Sequence, residues 1–443
     1  MTIVRVETRT RGNMSAILET ILERQKEAVV PTEQVTAPVR DAIALCLSGG
    51  GYRAALFHLG VMRCLHDMGI LQTVRTVSSV SGGSIISAFI AKRLVEEKIT
   101  DGINFTDWEE QVSSKFRSFV LNDIRTVPFL AHILWNWIAP KWRARHLQRK
   151  YGKKLLTIDD GAVRRELKLI DLPEKPYFVF CSTDLTFGVN WIFTREKVGD
   201  YRVGYADAGD WPLAAAVTAS SCFPPIFGPM VLSLVADEFK DGNYDKDDRA
   251  ALLSRINLTD GGVYDNLGLE PVDRGYQTLI ASDGGSPFGY VGKGNALSRL
   301  MRYTTVIMSQ VASLRKRVFF TGIKKDWYDG LYIGIGYERK FPRPGAEFDG
   351  YLDPAVRKLI SGIRTDLDMF NDAEARILEN HGYHETHNRV TRSLPGLIRA
   401  PNYKPATPHP EWQDETKLST ALSSSHRRFS LTRLLRAFRS LRM

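Results

Sequence analysis

The 443-residue chain has only four cysteines, and no two of them are close together. Cys46, Cys64, Cys181 and Cys222 are too scattered for a zinc-type cluster, and three of them stand inside apolar runs. Buried, reduced thiols are the expectation, which favours the cytoplasm. No apolar core follows the opening MTIVRVETRTRGN, which argues against a secretory signal. The greasiest stretch, VPFLAHILWNWIAP at 127–140, falls short of the ~18 residues a bilayer span needs and contains His132 and Asn136. No transmembrane helix is expected. Acid is missing from the last eighteen residues, HRRFSLTRLLRAFRSLRM, whose six arginines carry most of the +10 formal charge. A nucleic-acid binder is expected to carry basic patches on its folded body too, so no nucleic-acid partner is expected. No internal repeat is present.

What is there reads as an α/β protein. Residues 14–30 have amphipathic helical spacing, and Pro31 to Pro38 read as a linker. DAIALCLSGGG is a continuous apolar run ending in glycines, the mark of a buried parallel strand. A helical pattern follows through Leu56, Leu59, Met62 and Leu65 and stops at Gly69. VRTVSSV and GGSIISAFIAKRLVEEK repeat the strand–turn–helix order. Residues 103–175, rich in Trp, Arg and Lys, look like a helical insertion, and strand-like runs resume at PYFVFCSTDL, RINLTDGG and TLIASDGG. The expected organisation is an N-terminal helix and linker (1–40), a catalytic domain (41–395), and a Pro-rich linker with a basic tail (396–443).

Three segments carry candidate chemistry. SGGGYRAA (48–55) places Gly49, Gly50 and Gly51 between a strand and a helix, where backbone N–H groups face any bound anion. A Walker A loop is excluded because no G-K-[ST] follows. A dinucleotide fingerprint fits the glycines but lacks the acidic residue at the end of the next strand. An oxyanion hole for acyl transfer is the third reading. Arg53 steadies this loop, attracts an anionic lipid headgroup, or is simply a surface arginine in the first helical turn. TVSSVSGGSIISAF (76–89) departs by one residue from G-x-S-x-G, so Ser81 is either a nucleophile on a strand-to-helix elbow or one residue of a small-residue turn. On the elbow reading, Ser79 and Gly83 are its small flanking residues. LTDGGVYDNLGLEP (258–271) sets Asp260 at the end of a strand-like run.

The order GGGxR, x-x-S-x-G, D-G-G, with the small-residue and proline segment ASSCFPPIFGP (219–229) ahead of the last, resembles the patatin-like phospholipase family. The resemblance covers roughly residues 41 to 285. It implies a three-layer α/β/α fold with a mainly parallel central sheet, and a Ser–Asp dyad. Position by position it implies Ser81 as nucleophile, Asp260 as base, and Gly49, Gly50, Gly51 and Arg53 as the oxyanion loop. Ser79 replaces the usual elbow glycine, and Ala54 a glycine often found after the arginine. The implied activity is cleavage of acyl esters in phospholipid or lysophospholipid, with no metal and no organic cofactor. A Ser–Asp–His triad esterase and a non-catalytic membrane-associated scaffold are the alternatives.

Other features compete for attention. Asp283 begins a second D-G-G and is expected to be structural. His381, His384 and His387 invite a metal or triad reading. However, Asn371 with Glu374 fits a capping box and Gly382 a helix end, which would put His381 in a last turn and leave the other two beyond the helix. Trp135, Trp137 and Trp142 form either a lipid-facing anchor or an inward-packed subdomain. In the tail, Leu431, Leu434, Leu435, Phe438 and Leu441 make an apolar stripe opposite Arg433 and Arg436, the pattern of a helix that binds anionic membrane surfaces. The alternative is a helix docked on the body or a disordered tail. A cytoplasmic protein with peripheral membrane association is the resulting expectation.

Overall fold

Apolar residues on both faces make β1 (Val39–Leu47) a central strand. Ile43, Leu45 and Leu47 point to one side, Ala44 and Cys46 to the other, and all five are buried. The computed structural model describes residues 39–121, 141–159, 164–224, 227–244, 247–273, 275–285, 296–337 and 350–426. The expected helix at 14–30 with its linker, Trp135, Trp137 and the tail stripe from Leu431 lie outside the described residues, as does the side chain of Trp142.

Chain order continues with α1 (Gly51–Asp67), β2 (Val74–Val80), α2 (Gly82–Glu96), α3 (Ser114–Val120) and α4 (Lys141–Lys154). Two short strands, β3 (Thr157–Asp159) and β4 (Arg164–Glu166), pair with each other before β5 (Tyr177–Asp184). Then come β6 (Val189–Phe193), β7 (Lys197–Asp200), β8 (Gly204–Asp207), α5 (Leu213–Ser221), β9 (Met230–Leu232), α6 (Arg249–Leu253) and β10 (Ile256–Asp260). The remainder holds α7 (Gly262–Asp265), β11 (Tyr276–Asp283), α8 (Ala296–Lys324), β12 (Asp329–Gly334), α9 (Pro354–Ser361), α10 (Asp372–Ser393) and α11 (Glu415–Leu422).

One sheet contains ten of the strands, in the order β12-β11-β1-β2-β5-β6-β7-β8 with β10 and β9 joined to β5. From β12 to β5 every pairing is parallel, as strand–helix–strand crossovers require. From β5 onward the pairings are antiparallel. Ile43, Leu45 and Leu47 join a core with α1, α2 and α10, while Ala44 and Cys46 pack with Leu267, Leu279, Ala281 and Phe319 of α8. The result is the expected helix–sheet–helix layering around a parallel centre, with an antiparallel wing. All four cysteines are buried and free. Among the described residues no helix is long and apolar enough to cross a membrane.

The helix expected to end at Gly382 does not. The Asn371–Glu374 capping box is present, but α10 continues to Ser393. Gly382 is there for a close crossing rather than a cap. A Cβ on Gly382 would sit 2.1 Å from the Phe57 carbonyl oxygen, and one on Gly60 of α1 would sit 1.9 Å from that of Glu379. A bare hydrogen at each of the two positions, facing the other helix's backbone, lets these helices touch, which offsets the ~1 kcal/mol that a mid-helix glycine costs. His381, His384 and His387 therefore lie on one continuous helix, and His381 is not in its last turn. They serve separate partners: the Ile335 carbonyl at 2.9 Å, Thr407 Oγ1 at 3.0 Å and the Tyr403 hydroxyl at 3.2 Å.

The crossing makes a direct prediction. Gly60→Ala or Gly382→Ala forces backbone apart and should destabilise the protein by about 3 kcal/mol or more. Gly396→Ala, with nothing within 4 Å of the added carbon, should stay within about 0.5 kcal/mol of wild type. Denaturant unfolding of the three variants would measure both, and equal stabilities would refute the close-crossing account.

Candidate active site

The site is made where two strands meet end to end on one edge of β5. β2 runs parallel to β5 and stops with Val80 opposite Cys181. β10 runs antiparallel along the same edge and stops with Asp260 opposite Ser182, the next position. The C-terminal ends of β2 and β10 thus point at each other. Ser81 follows the first and Asp260 closes the second.

Ser81 adopts φ 50° and ψ −112°, a strained backbone for a residue with a side chain, and α2 starts immediately after it. The turn is tight on both sides. A Cβ on Gly83 would lie 2.2 Å from the Leu47 carbonyl oxygen, and one on Gly82 would lie 2.2 Å from that of Gly51. Ser79, which stands where an elbow glycine was expected, is accommodated because its hydroxyl donates to the Val179 carbonyl at 3.2 Å. The Ser81 amide donates to Ser220 Oγ at 2.9 Å, and Ser220 Oγ donates in turn to the Cys181 carbonyl at 2.6 Å. Ser220 thus straps the elbow to β5.

Asp260 is buried, with Oδ1 accepting from the Gly262 amide at 2.8 Å. Its backbone is held by the Cys222 carbonyl at 3.2 Å and the Thr183 hydroxyl at 2.9 Å. Oδ2 is buried without a hydrogen-bond partner. Burial pushes the carboxyl up to about 6, against the opposing pull of the Gly262 amide and the nearby Ser81 hydroxyl. Ser81 is close enough to act on the carboxylate without closing a well-formed hydrogen bond to Oδ2. A loose contact of this kind is common before substrate binds.

The glycine loop forms the third side. Gly50 and Gly51 have φ of +144° and +61°, and a Cβ on Gly49 would lie 3.1 Å from Ser81 Cβ. The Gly49 amide is used by the Asn266 carbonyl at 3.1 Å, and the Tyr52 amide by the Asp366 carbonyl at 2.9 Å. The amides of Gly50 and Gly51 make no backbone hydrogen bond among the described residues. Arg53 is buried and turned away from solvent. Its guanidinium donates to the carbonyls of Gly284 at 2.9 Å, Ser361 at 3.2 Å and Ile363 at 2.9 Å. Of the readings for Arg53, the geometry corrects the headgroup and surface-arginine ones and leaves the anchor. Beneath it, His58 Nε2 donates to the Ser48 carbonyl at 3.0 Å, so Nδ1 accepts from Ser282 Oγ at 2.7 Å. Burial lowers this ring to about 4, so it adds no charge at neutral pH.

Asp283 is occupied elsewhere: it accepts from Lys316 Nζ at 2.6 Å, the Tyr332 hydroxyl at 2.6 Å and the Gly285 amide at 2.9 Å. Burial pushes it up, but Lys316 and these hydrogen bonds outweigh burial and hold it below the ordinary carboxylate value. Among the described residues the group with metal-ligand spacing is Glu109, Glu379 and His409, and Arg63 and Arg117 already bridge its two carboxylates. Sequence reasoning missed Ser220, which lies in a segment read only for its small residues. It also missed Asn266, whose Oδ1 lies 2.4 Å from where a Gly49 Cβ would be and 2.5 Å from where a Gly262 Cβ would be. The segment around Asp366, which lies against Gly51, had no sequence signal at all.

A buried carboxylate held above its unfolded value costs stability. The gap between about 6 in the fold and the ~3.9 of an unfolded aspartate amounts to about 3 kcal/mol. Because the folded value is the higher one, the cost is absent below about pH 4, grows as pH rises, and is complete above about pH 6. Asp260→Asn should therefore unfold at a higher temperature than wild type at pH 7.5, and this advantage should shrink at pH 4.5. A pH-independent gap, or a less stable variant at pH 7.5, would contradict the desolvated carboxylate.

The sequence model of the patatin-like phospholipase family matches residues 45–273. A patatin-like phospholipase domain-containing protein of Aspergillus niger is 44% identical over 54 residues, which are 12% of this chain and 7% of that relative. Among solved structures, human GIVD cytosolic phospholipase A2 aligns over 96% of this chain and 68% of its own, at 12% identity and a TM-score of 0.40. VipD from Legionella pneumophila aligns over 81% of this chain and 68% of its own, at 14% identity and a TM-score of 0.31. With the family model covering more than half of its length, the chain belongs to the patatin-like phospholipase family, a family of lipid acyl hydrolases.

Proposed function

We propose that residues 41–395 form a catalytic unit that cleaves an acyl ester of phospholipid or lysophospholipid through Ser81 and Asp260. The observation that carries this reading is the buried, unpartnered Oδ2 of Asp260, on a carboxyl pushed up to about 6, beside a serine at φ 50°. An ordinary carboxylate is a weak base for a hydroxyl; desolvation raises its basicity where the proton must go. In the first half-reaction Asp260 takes the Ser81 proton as Oγ attacks the ester carbonyl. The tetrahedral oxyanion lies against the Gly50 and Gly51 amides, donors aimed at charge that appears only in the transition state. Collapse breaks the ester C–O bond, and the leaving alkoxide takes the proton from Asp260. Water, deprotonated by the same carboxylate, then hydrolyses the acyl-Ser81 ester and restores both groups.

The triad alternative has less support. No described histidine hydrogen-bonds Ser81 or Asp260, and His58, His381, His384, His387 and His409 all have other partners. The scaffold alternative leaves a strained serine and a costly carboxylate without a use. The basic tail, by its sequence pattern, is proposed to add attraction to an anionic membrane surface.

Ser81→Ala and Asp260→Asn should each lower kcat/KM for a phospholipid and for a small soluble ester by about 10³-fold or more. His384→Ala and His387→Ala should cost less than about tenfold, or ~1.4 kcal/mol. In the wild type, kcat/KM should fall about tenfold per pH unit below about pH 6, because Asp260 must be unprotonated to act. Retained turnover in Ser81→Ala, or a 10³-fold loss at one histidine with the fold intact, would overturn the dyad.

A further inference from the structure

α8 is long, from Ala296 to Lys324, and has the wrong outer face for a helix in water. Its inner side is fastened to the body: Phe319 is buried against Tyr328, Arg315 pairs with Glu270 at 2.7 Å, and Lys316 pairs with Asp283 at 2.6 Å. From Arg302 to Val318 no side chain is buried. On the outer side Tyr303, Ile307, Leu314 and Val318 are 62%, 63%, 55% and 48% exposed. At about 100° per residue these positions fall within one stripe roughly 60° wide, on the far side of the helix from Phe319. A surface helix normally turns charge outward there. Exposed Arg299 and Arg317 line one flank of the stripe, and exposed Lys324 continues that flank. Phe320 and Trp327 add exposed aromatic surface at the same end.

The sequence of α8 holds six arginines and lysines and no aspartate or glutamate. This combination selects the occupant. A second copy of the chain would bring two cation-lined stripes together, which like-charge repulsion opposes. A surface that is apolar inside and anionic at its rim satisfies both features: acyl chains take the stripe and headgroups meet Arg299, Arg317 and Lys324. We infer that the outer face of α8 is a docking surface for an anionic phospholipid bilayer, distinct from the C-terminal tail. The choice of lipid over other anionic partners rests on the hydrolase reading above; the exposed stripe and its charge do not. Through Lys316–Asp283 and Arg315–Glu270 the docked helix is bolted to the end of β11 and to the segment that follows α7.

Binding is tested without turnover, in full-length protein carrying Ser81→Ala. Flotation with vesicles of phosphatidylcholine alone and with added phosphatidylglycerol compares this parent with Ile307→Glu/Leu314→Glu and with Arg299→Glu/Arg317→Glu. Circular dichroism and unfolding midpoints check that the exposed substitutions leave the fold unchanged. Both pairs should weaken binding to the anionic vesicles by roughly tenfold or more. The arginine pair should matter little on phosphatidylcholine. Parent-like binding by both pairs would overturn the inference, as would a parent dimer in sedimentation that Ile307→Glu/Leu314→Glu splits, since the stripe would then hold a second copy. Failure of the hydrolase reading shows separately, as an active Ser81→Ala or an inactive wild type.

Discussion

The edge of β5 is the constraint on which the rest depends. A single strand edge is shared by β2, arriving parallel, and β10, arriving antiparallel, and their registers end on neighbouring residues, Cys181 and Ser182. Two chain segments far apart in sequence are thereby held by backbone ladders on one strand, with Ser79, Ser220 and Thr183 adding side-chain hydrogen bonds. β1 lies next to β2 in parallel, so the loop leaving β1 reaches the same end of the sheet, where ligands of parallel α/β folds collect. Three strand ends bring the Ser81 hydroxyl, the Asp260 carboxyl and the glycine-loop amides to one place.

Such a convergence leaves strain and desolvation to be absorbed nearby. Ser81 keeps its positive φ because its amide is strapped through Ser220 to the Cys181 carbonyl. Asp260 keeps one oxygen on the Gly262 amide while the other stays available. The glycine loop is held from behind by Arg53 on three carbonyls and by His58 on Ser48. Further out, Glu379 of α10 ties Arg63 of α1, Arg117 of α3 and His409 together. Burial opposes its charge, but His409 and the two guanidiniums prevail and hold it well below the ordinary carboxylate value. The helices α1, α3 and α10 are therefore pinned to one another by an ionic cluster.

Local patterns were readable in the amino-acid order. The apolar run of β1, the spacing of α1, the VRTVSSV strand and the glycines around Ser81 each express constraints that act within a few residues. What depended on distant partners was not. Gly382 looks like a helix end, and only the presence of Gly60 on α1 turns it into a crossing point. Arg53 has the same sequence whether it meets a headgroup or three carbonyls. Ser220 is one serine among several until β5 and β2 place it under the Ser81 amide. The α8 stripe was likewise invisible, because apolar residues at helical spacing read as core unless their exposure is known.

The central claim is that Ser81 is the nucleophile and Asp260 its base. The most direct measurement is labelling by an alkyl fluorophosphonate across pH, with peptide mapping of the adduct by mass spectrometry. The account predicts a single adduct on Ser81, formed more slowly as pH drops below about 6 and nearly abolished in Asp260→Asn. An adduct on Ser78, Ser79, Ser84 or Ser220, or undiminished labelling of Ser81 in Asp260→Asn, would contradict it.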